Sequence, residues 1–439
     1  MRSKQLRPWL SLALVLSYFS FSSALASSAS HPPRFIQVAA KDKYERSAIA
    51  KLGMSIEAVR SDSVWGFANN REIAKLQRNG FHILGNFPIE IGRGGHTGTY
   101  DFPPNDSVYH NYARLLQDLQ AIQSANPDIV RLVSIGKSLE GRDLIAVHIN
   151  TNPNELTGRA LSAKPGVIYM GAHHAREHLS VEVPFKLVKY LMDNRRSPVV
   201  SPLLDQRDIW IIPMVNPDGA EFDISTGRYA YWRKNRRNNK DGTFGVDLNR
   251  NYGYEWGTGG SDTDTDSDVY MGPQPFSEPE TQAIRNFVSA QKNTRVLLSF
   301  HTFSELILYP WGHTHDPIAN TRDLAVFKKM AKTMSQWNHY RPQPSSDLYI
   351  ASGDTTDWAY GTLGIFAFTF EMSPGSMSGA GGFYPGAKMI DRAFNDNIKP
   401  CLYLLQVAGD PYAVINGTPA QRFLTHYGEP QFLELSEQF

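Results

Sequence analysis

Sulfur chemistry is almost absent from this chain. A single cysteine, Cys401, stands in 439 residues, so no intramolecular disulfide can form. Its neighbours Ile398, Leu402, Leu404 and Leu405 are apolar and include no base. That pattern reads as a buried, inert thiol in a helix and excludes a cysteine nucleophile. A chain this long buries a large core and needs no covalent staples. An excess of one charge is missing as well, since 44 Lys and Arg face 43 Asp and Glu for a net charge of +1. No global field then favours nucleic acid or an anionic membrane. Long apolar runs are scarce too. Trp9–Phe21, behind Arg2, Lys4 and Arg7 and ahead of Ala24-Leu-Ala26, has the three-part layout of a secretory signal peptide over residues 1–26. It is too short for comfortable membrane spanning, so export is expected.

What is present is a series of short apolar runs that end in polar residues. Val167-Ile-Tyr-Met-Gly171 leads to His174-Ala-Arg-Glu177, Val296-Leu-Leu-Ser-Phe300 to His301, and Ile365-Phe-Ala-Phe-Thr-Phe370 to Glu371. Such runs read as buried strands of a parallel or mixed sheet. Polar side chains at strand ends, gathered in one crevice, are where such sheets build sites. Two imidazoles and a carboxylate form a Zn²⁺ ligand set with a fourth position left for water. His173 and His178 compete with them. No His-Glu-x-x-His helix exists here, so both read as hydrogen-bonded structural histidines.

Six motifs then occur in order: His-x-x-Glu, Trp232-Arg-Lys-Asn-Arg236, Asp247-Leu-Asn-Arg-Asn-Tyr252, Ser299-Phe-His-Thr302, Leu348-Tyr-Ile-Ala-Ser-Gly353 and Phe368-Thr-Phe-Glu371. This set resembles the carboxypeptidase A/B family of zinc metallocarboxypeptidases over about residues 101–415. Its bacterial members are most similar, because Asp101-Phe-Pro resembles their mature start. The resemblance implies an α/β/α sandwich with a mixed, about eight-stranded sheet. It implies one Zn²⁺ held by His174, Glu177 and His301, and Glu371 as general base. It implies Arg236 as the group that stabilises the tetrahedral oxyanion, chosen over the bland reading of Arg233-Lys-Asn-Arg-Arg237 as a solvated loop. Asn249 and Arg250 match the family's clamp on a peptide's C-terminal carboxylate, Tyr349 its mobile cap, and Arg176 a contact to substrate backbone. Asp354 and Thr356 fall where the family lines its specificity pocket. A small polar Thr356 with a nearby acid implies apolar or aromatic C-terminal residues, with Lys and Arg tolerated. Asp354 also reads as a helix N-cap. Phe303 departs from the family's frequent tyrosine, which touches secondary subsites only.

Ahead of this region, in the segment 27–100, the pattern between about 34 and 86 alternates strand and helix: Phe35–Ala39, Tyr44–Leu52, Ser63–Ala68, Glu72–Arg78 and Phe81–Leu84. Asn70 is placed for an N-cap and Gly80 for a C-cap. The unit resembles the inhibitory propeptide of secreted peptidases, and the Gly-rich stretch 92–98 after it suits cleavage near residues 93–100 by an activating protease. In the main region, helices are expected over 112–122, 181–193, 322–338 and 386–407, with strands over 129–135, 143–149, 166–171 and 208–215. Asp262-Thr-Asp-Thr-Asp-Ser-Asp268 alternates acids as calcium loops do, without the Gly and distal Glu of an EF-hand. Ca²⁺ is a minor expectation there, and a solvated loop the main one. The tail, 416–439, is dispensable for chemistry. The expected partners are peptide and protein C-termini and the chain's own propeptide, with no nucleic acid and no membrane, on a monomer. A non-catalytic binding domain would lack some of these groups, and an acyl-amino acid hydrolase would not need the full clamp.

Overall fold

The computed structural model describes residues 33–88, 101–375 and 381–416. The signal-peptide segment, the expected cleavage stretch and the tail from residue 417 lie outside the described residues.

Two α/β units share the chain. In the first, strands β1 (Arg34–Ala39), β2 (Ser55–Val59), β3 (Ser63–Ala68) and β4 (Ile83–Pro88) form an antiparallel sheet in the order β2-β3-β1-β4. Helices Lys43–Lys51 and Asn70–Arg78 cover one face around Ile36, Val38, Ile49, Val64 and Leu76. The second helix starts one residue earlier than the composition suggests. Asn69, not Asn70, caps it, and Glu72 completes the box by accepting the Asn69 N–H at 2.7 Å. Gly80 takes the left-handed position just past the helix end, with φ +84°. Strand β2 is absent from the sequence expectation, and it proves to be the one that reaches the site.

The second unit is an eight-stranded mixed sheet. Its strands are β5 (Val130–Lys137), β6 (Asp143–Ile149), β7 (Gly166–Gly171), β8 (Asp208–Ile212), β9 (Thr294–Thr302), β10 (Leu306–Tyr309), β11 (Arg341–Pro344) and β12 (Phe366–Met372). The order is β11-β10-β12-β9-β7-β8-β6-β5, with a parallel centre from β12 to β8. Alternation along each central strand feeds two cores. Val296, Leu298 and Phe300 of β9 join helices 112–125, 179–193, 321–338 and 388–407 on one face. Leu297 of β9 and Ala367 of β12 join helices 279–290 and 355–363 on the other. This is the α/β/α sandwich. Full burial of each such Leu or Phe contributes about 1.5–3 kcal/mol, which makes the sheet centre the stiffest place on which to mount a site. Cys401 sits 1% exposed in the last long helix, and burial pushes its thiol above the ordinary range.

The small unit docks over the C-terminal end of the parallel strands. Lys43 pairs with Asp347 at 2.8 Å, and Arg46 donates to the carbonyls of Asp347 and Leu348 at 2.7 and 2.6 Å. Lys75 lies 3.3 Å from Asp262, and Arg71 3.5 Å from Asp264. The alternating acids of 262–268 are thus spread over cationic partners, with Asp268 held by Arg176 at 2.9 Å. They do not converge on one point as a calcium loop would.

Candidate active site

β7 ends at Gly171, and the turn after it carries His174 and Glu177. β9 delivers His301 near its own end. The His301 Nδ1 lies 3.2 Å from the His174 Nδ1 and 3.0 Å from Glu177 Oε2, while His174 Nδ1 is 2.7 Å from Glu177 Oε1. All three side chains are buried. Two imidazole nitrogens aimed at each other beside a carboxylate suit a shared cation. Tetrahedral zinc, with ligands at about 2.0–2.2 Å, would space them about 3.3 Å apart. The outer nitrogen of His301 is backed as a metal-bound imidazole requires, with Nε2 3.0 Å from Ser299 Oγ, and His174 Nε2 lies 3.3 Å from Asp247 Oδ1 without a hydrogen bond between them. Among the described residues no other three His, Cys, Asp or Glu side chains gather in this way. The residues present fit zinc.

Glu371 faces the same cleft from β12, in register with His301 on the neighbouring parallel strand. Burial, then the carboxylates of Glu177 and Glu57, push its carboxyl well above the ordinary range; Arg233 and Arg250 oppose them. Asn249, Arg250, Tyr349, Asp354 and Thr356 line the cleft as well. Arg250 is braced by the carbonyls of Gly260 and Asn249 at 2.9 and 2.8 Å. Gly353 lets the 345–354 loop come this close: its φ is +71°, and a Cβ would stand 2.5 Å from the Arg250 carbonyl. Immediately after it, Asp354 does two jobs. Its Oδ1 caps helix Thr355–Leu363 through the N–H groups of Thr356 and Asp357 at 2.8 and 2.9 Å. Its Oδ2 is buried with no hydrogen-bond partner among the described residues. Burial and neighbouring Asp357 push this carboxyl up to about 7.

One expected residue is misplaced by the sequence reading. Arg236 does not line the cleft. Its guanidinium stacks 3.5 Å from the centre of the Phe222 ring, with Trp232 and Phe244 at 5.0 and 5.1 Å. Arg233 lines the cleft instead, 4% exposed and 2.9 Å from Asp247. The strap carrying both residues is irregular, tied by Ala175 N–H to the Arg233 carbonyl and by Asn235 N–H to the Val246 carbonyl, each at 3.0 Å. Along it Arg233 turns to Asp247 and Arg236 to the Phe222 ring. The usable signal was the buried acid: Arg233 and His174 hold Asp247 well below the usual carboxylate range against the pull of burial.

Glu57 is the residue that sequence reasoning missed altogether. It projects from β2 and accepts from Arg176 Nη2 at 2.6 Å, with Arg233 3.9 Å away. The next carbonyl back, Ile56, accepts the Tyr349 hydroxyl at 3.1 Å. Arg176 is wholly buried, sandwiched between Phe67 of the small unit and Phe383 at 4.3 and 4.5 Å. Phe303 packs in the same aromatic cluster. Ile56, Glu57 and Val59 of the small unit line the same cleft.

A zinc carboxypeptidase family model matches residues 115–399. The zinc carboxypeptidase of Saccharothrix mutabilis subsp. capreolus is 36% identical over 397 residues, covering 85% of this chain and 88% of that protein. Zinc carboxypeptidase A 1 of Drosophila melanogaster is 33% identical over 62% of this chain and 63% of its own length. The crystal structure of carboxypeptidase A from Helicoverpa armigera covers 89% of this chain and 99% of its own, with a TM-score of 0.69 at 24% identity, and so supports the fold.

Proposed function

The chain belongs to the zinc carboxypeptidase family, and from that premise we propose that it is a secreted enzyme, made as an inactive precursor, that removes C-terminal residues from peptides and proteins. The observation that carries this reading is the meeting, in one cleft, of the His174–Glu177–His301 triad, the Glu371 carboxylate and the Asn249–Arg250 pair. Bound zinc would supply a Lewis acid that lowers the pKa of water from 15.7 to about 7. Glu371 then takes the proton of the attacking water and hands it to the departing amine. Arg233, in the role the sequence suggested for Arg236, donates to the oxyanion that attack creates. It is preorganised by Asp247, and one such donor is worth roughly 10²–10³ in rate. Arg250 and Asn249 hold the substrate's free carboxylate. Charge-assisted hydrogen bonds of that kind contribute about 1.5–3 kcal/mol each. Tyr349, which now donates to Ile56, is available to cap the same group once β2 departs.

The pocket beyond the clamp is lined by Leu306, Leu308, Thr356 and Asp354. It suits apolar and aromatic side chains, and the uncommitted Asp354 Oδ2 offers a partner to Lys or Arg. Residues 34–88 act as the inhibitory propeptide, with Glu57 occupying the substrate arginine, until cleavage ahead of Asp101. The acids of 262–268 serve this docking rather than calcium.

The test is release of C-terminal Phe, Leu, Arg and Glu from a peptide panel by cleaved chain, with and without a zinc chelator. Chelator-sensitive release of Phe, Leu and some Arg, with amidated peptides refused, is the expected result. Equal turnover of amide and free acid would mean an endopeptidase. Inertness toward peptides with turnover of acylated amino acids would move the substrate class.

A further inference from the structure

The two working ends of the cleft, the metal triad and the carboxylate clamp, are joined behind the site by buried polar side chains that the chemistry above does not use. His301 Nε2 is 3.0 Å from Ser299 Oγ, which is 3.3 Å from His173 Nδ1. On the far side of the ring, His173 Nε2 is 3.1 Å from Thr355 Oγ1 and 2.9 Å from the Tyr252 hydroxyl. Thr355 Oγ1 is in turn 2.9 Å from Asn249 Oδ1, and the Thr355 backbone N–H reaches the same oxygen at 3.0 Å. Ser299, His173, Thr355 and Tyr252 are all 1% exposed or less.

Donors and acceptors in this row can be assigned from its one unambiguous member. A backbone N–H only donates, so the Asn249 atom facing Thr355 is the amide oxygen and the amide NH₂ points away. An amide oxygen only accepts, so the Thr355 hydroxyl donates to it and keeps a lone pair for His173 Nε2–H, a proton it shares with the Tyr252 hydroxyl oxygen at 2.9 Å. A wholly buried imidazole with hydroxyl partners alone is neutral, which leaves His173 Nδ1 as an acceptor for the Ser299 hydroxyl. Ser299 Oγ then accepts His301 Nε2–H. That proton fixes His301 in the tautomer whose Nδ1 lone pair faces Glu177 and His174.

We propose that His173, with Ser299 and Thr355, is a positioning residue that locks the metal-facing tautomer of His301 and the substrate-facing amide of Asn249 through one head-to-tail chain of hydrogen bonds. The proposal rests on the clamp and ligand roles given above. It adds that the two ends of the cleft share one row of buried hydrogen bonds that passes through His173. A histidine that sequence reading took for a bystander becomes the hub.

The experiment uses the full chain, before and after proteolytic cleavage ahead of Asp101, with two readouts. Zinc affinity is measured by competition with a chelator and read as metal content. KM and kcat are measured on a peptide with a free C-terminal Phe. Second-sphere partners of ligating histidines typically change metal affinity or activity 10- to 100-fold, so Ser299→Ala should weaken zinc affinity by about tenfold and move KM little. Thr355→Val should raise KM by about tenfold with kcat nearly intact, and Thr355→Ser should restore it. His173→Phe should do both at once. A His173→Phe protein that is less heat-stable but keeps wild-type zinc affinity and KM would reduce His173 to a packing residue and overturn the proposal. If His173→Phe does not fold, wild-type zinc affinity in Ser299→Ala together with wild-type KM in Thr355→Val overturns it equally. Asn249→Ala in the same series separates the two layers. An unchanged KM there would remove the clamp reading itself, whereas a raised KM beside silent Thr355 and His173 variants removes only the chain.

Discussion

The two α/β units meet the cleft in opposite ways. The large unit offers side chains from the ends of buried strands and adjoining turns, with His301 held from behind by Ser299 and Arg233 by Asp247. The small unit offers one carboxylate and one carbonyl from an edge strand, which meet Arg176 and Tyr349 of the large unit. The first arrangement is preorganised and costs nothing to reset after each turnover. The second gains its hold from contacts that vanish together once the unit leaves. Catalysis needs the former; a removable inhibitor needs the latter.

The contrast is broken most severely on the large side. Arg233→Ala should lower kcat of cleaved enzyme by roughly 10²–10³ with a much smaller change in KM. Arg236→Ala should cost heat stability through its lost ring contacts and leave kcat within about twofold. Reversed results in steady-state kinetics would return the oxyanion role to Arg236. On the small side, Glu57→Ala in uncleaved chain removes a charge-assisted bond worth about 1.5–3 kcal/mol and leaves Arg176 beside Arg233 without that counter-charge. Basal activity before cleavage should rise about 10- to 100-fold; an unchanged rate would mean that the small unit does not block through Glu57.

A smaller effect sharpens the comparison within the pocket. Asn still caps a helix, so Asp354→Asn should preserve folding and Phe release while the Lys-to-Phe and Arg-to-Phe ratios fall about tenfold. If those ratios hold, the residue only caps. Subtler still is the seam. Burial, chiefly, pushes Glu72 up to about 8, with Asp268 and Asp262 adding to it. An acid whose pKa is raised on folding stabilises fully below its ordinary value of 4.5, and that stabilisation is lost as pH rises through about 8. Glu72→Gln, which mimics the protonated form, should therefore match wild type in melting temperature near about pH 4.5 and exceed it increasingly toward pH 8. Parallel melting curves across that range would place the Glu72 charge elsewhere than in the seam.

The large unit was the more legible of the two. Its central strands are unbroken apolar runs with polar ends, and a buried run can announce its terminal residue without any knowledge of its neighbours. The zinc triad and Glu371 follow from that rule. Arg233 does not, because it sits in a strap with no run of its own, where four cations within five positions give no periodicity to choose by. Strand β2 was hidden for a related reason. Ser55–Val59 is short, follows a helix after three residues, and carries its informative residue, Glu57, on a polar position that reads as surface. Only the docked partner makes that position a buried one. The dual role of Asp354 was likewise out of reach, since sequence shows a carboxylate but not that its two oxygens face different tasks.

The shared rung of His301 and Glu371 has a consequence for how this enzyme could diversify. Neighbouring strands are spaced about 4.8 Å apart by their backbone ladder, so the separation of base and ligand is inherited from the sheet rather than negotiated by loops. The loops that read the substrate, 345–354 above all, can be lengthened, shortened or repopulated without detuning that separation. A library confined to those loops should therefore yield new preferences far more readily than lost chemistry.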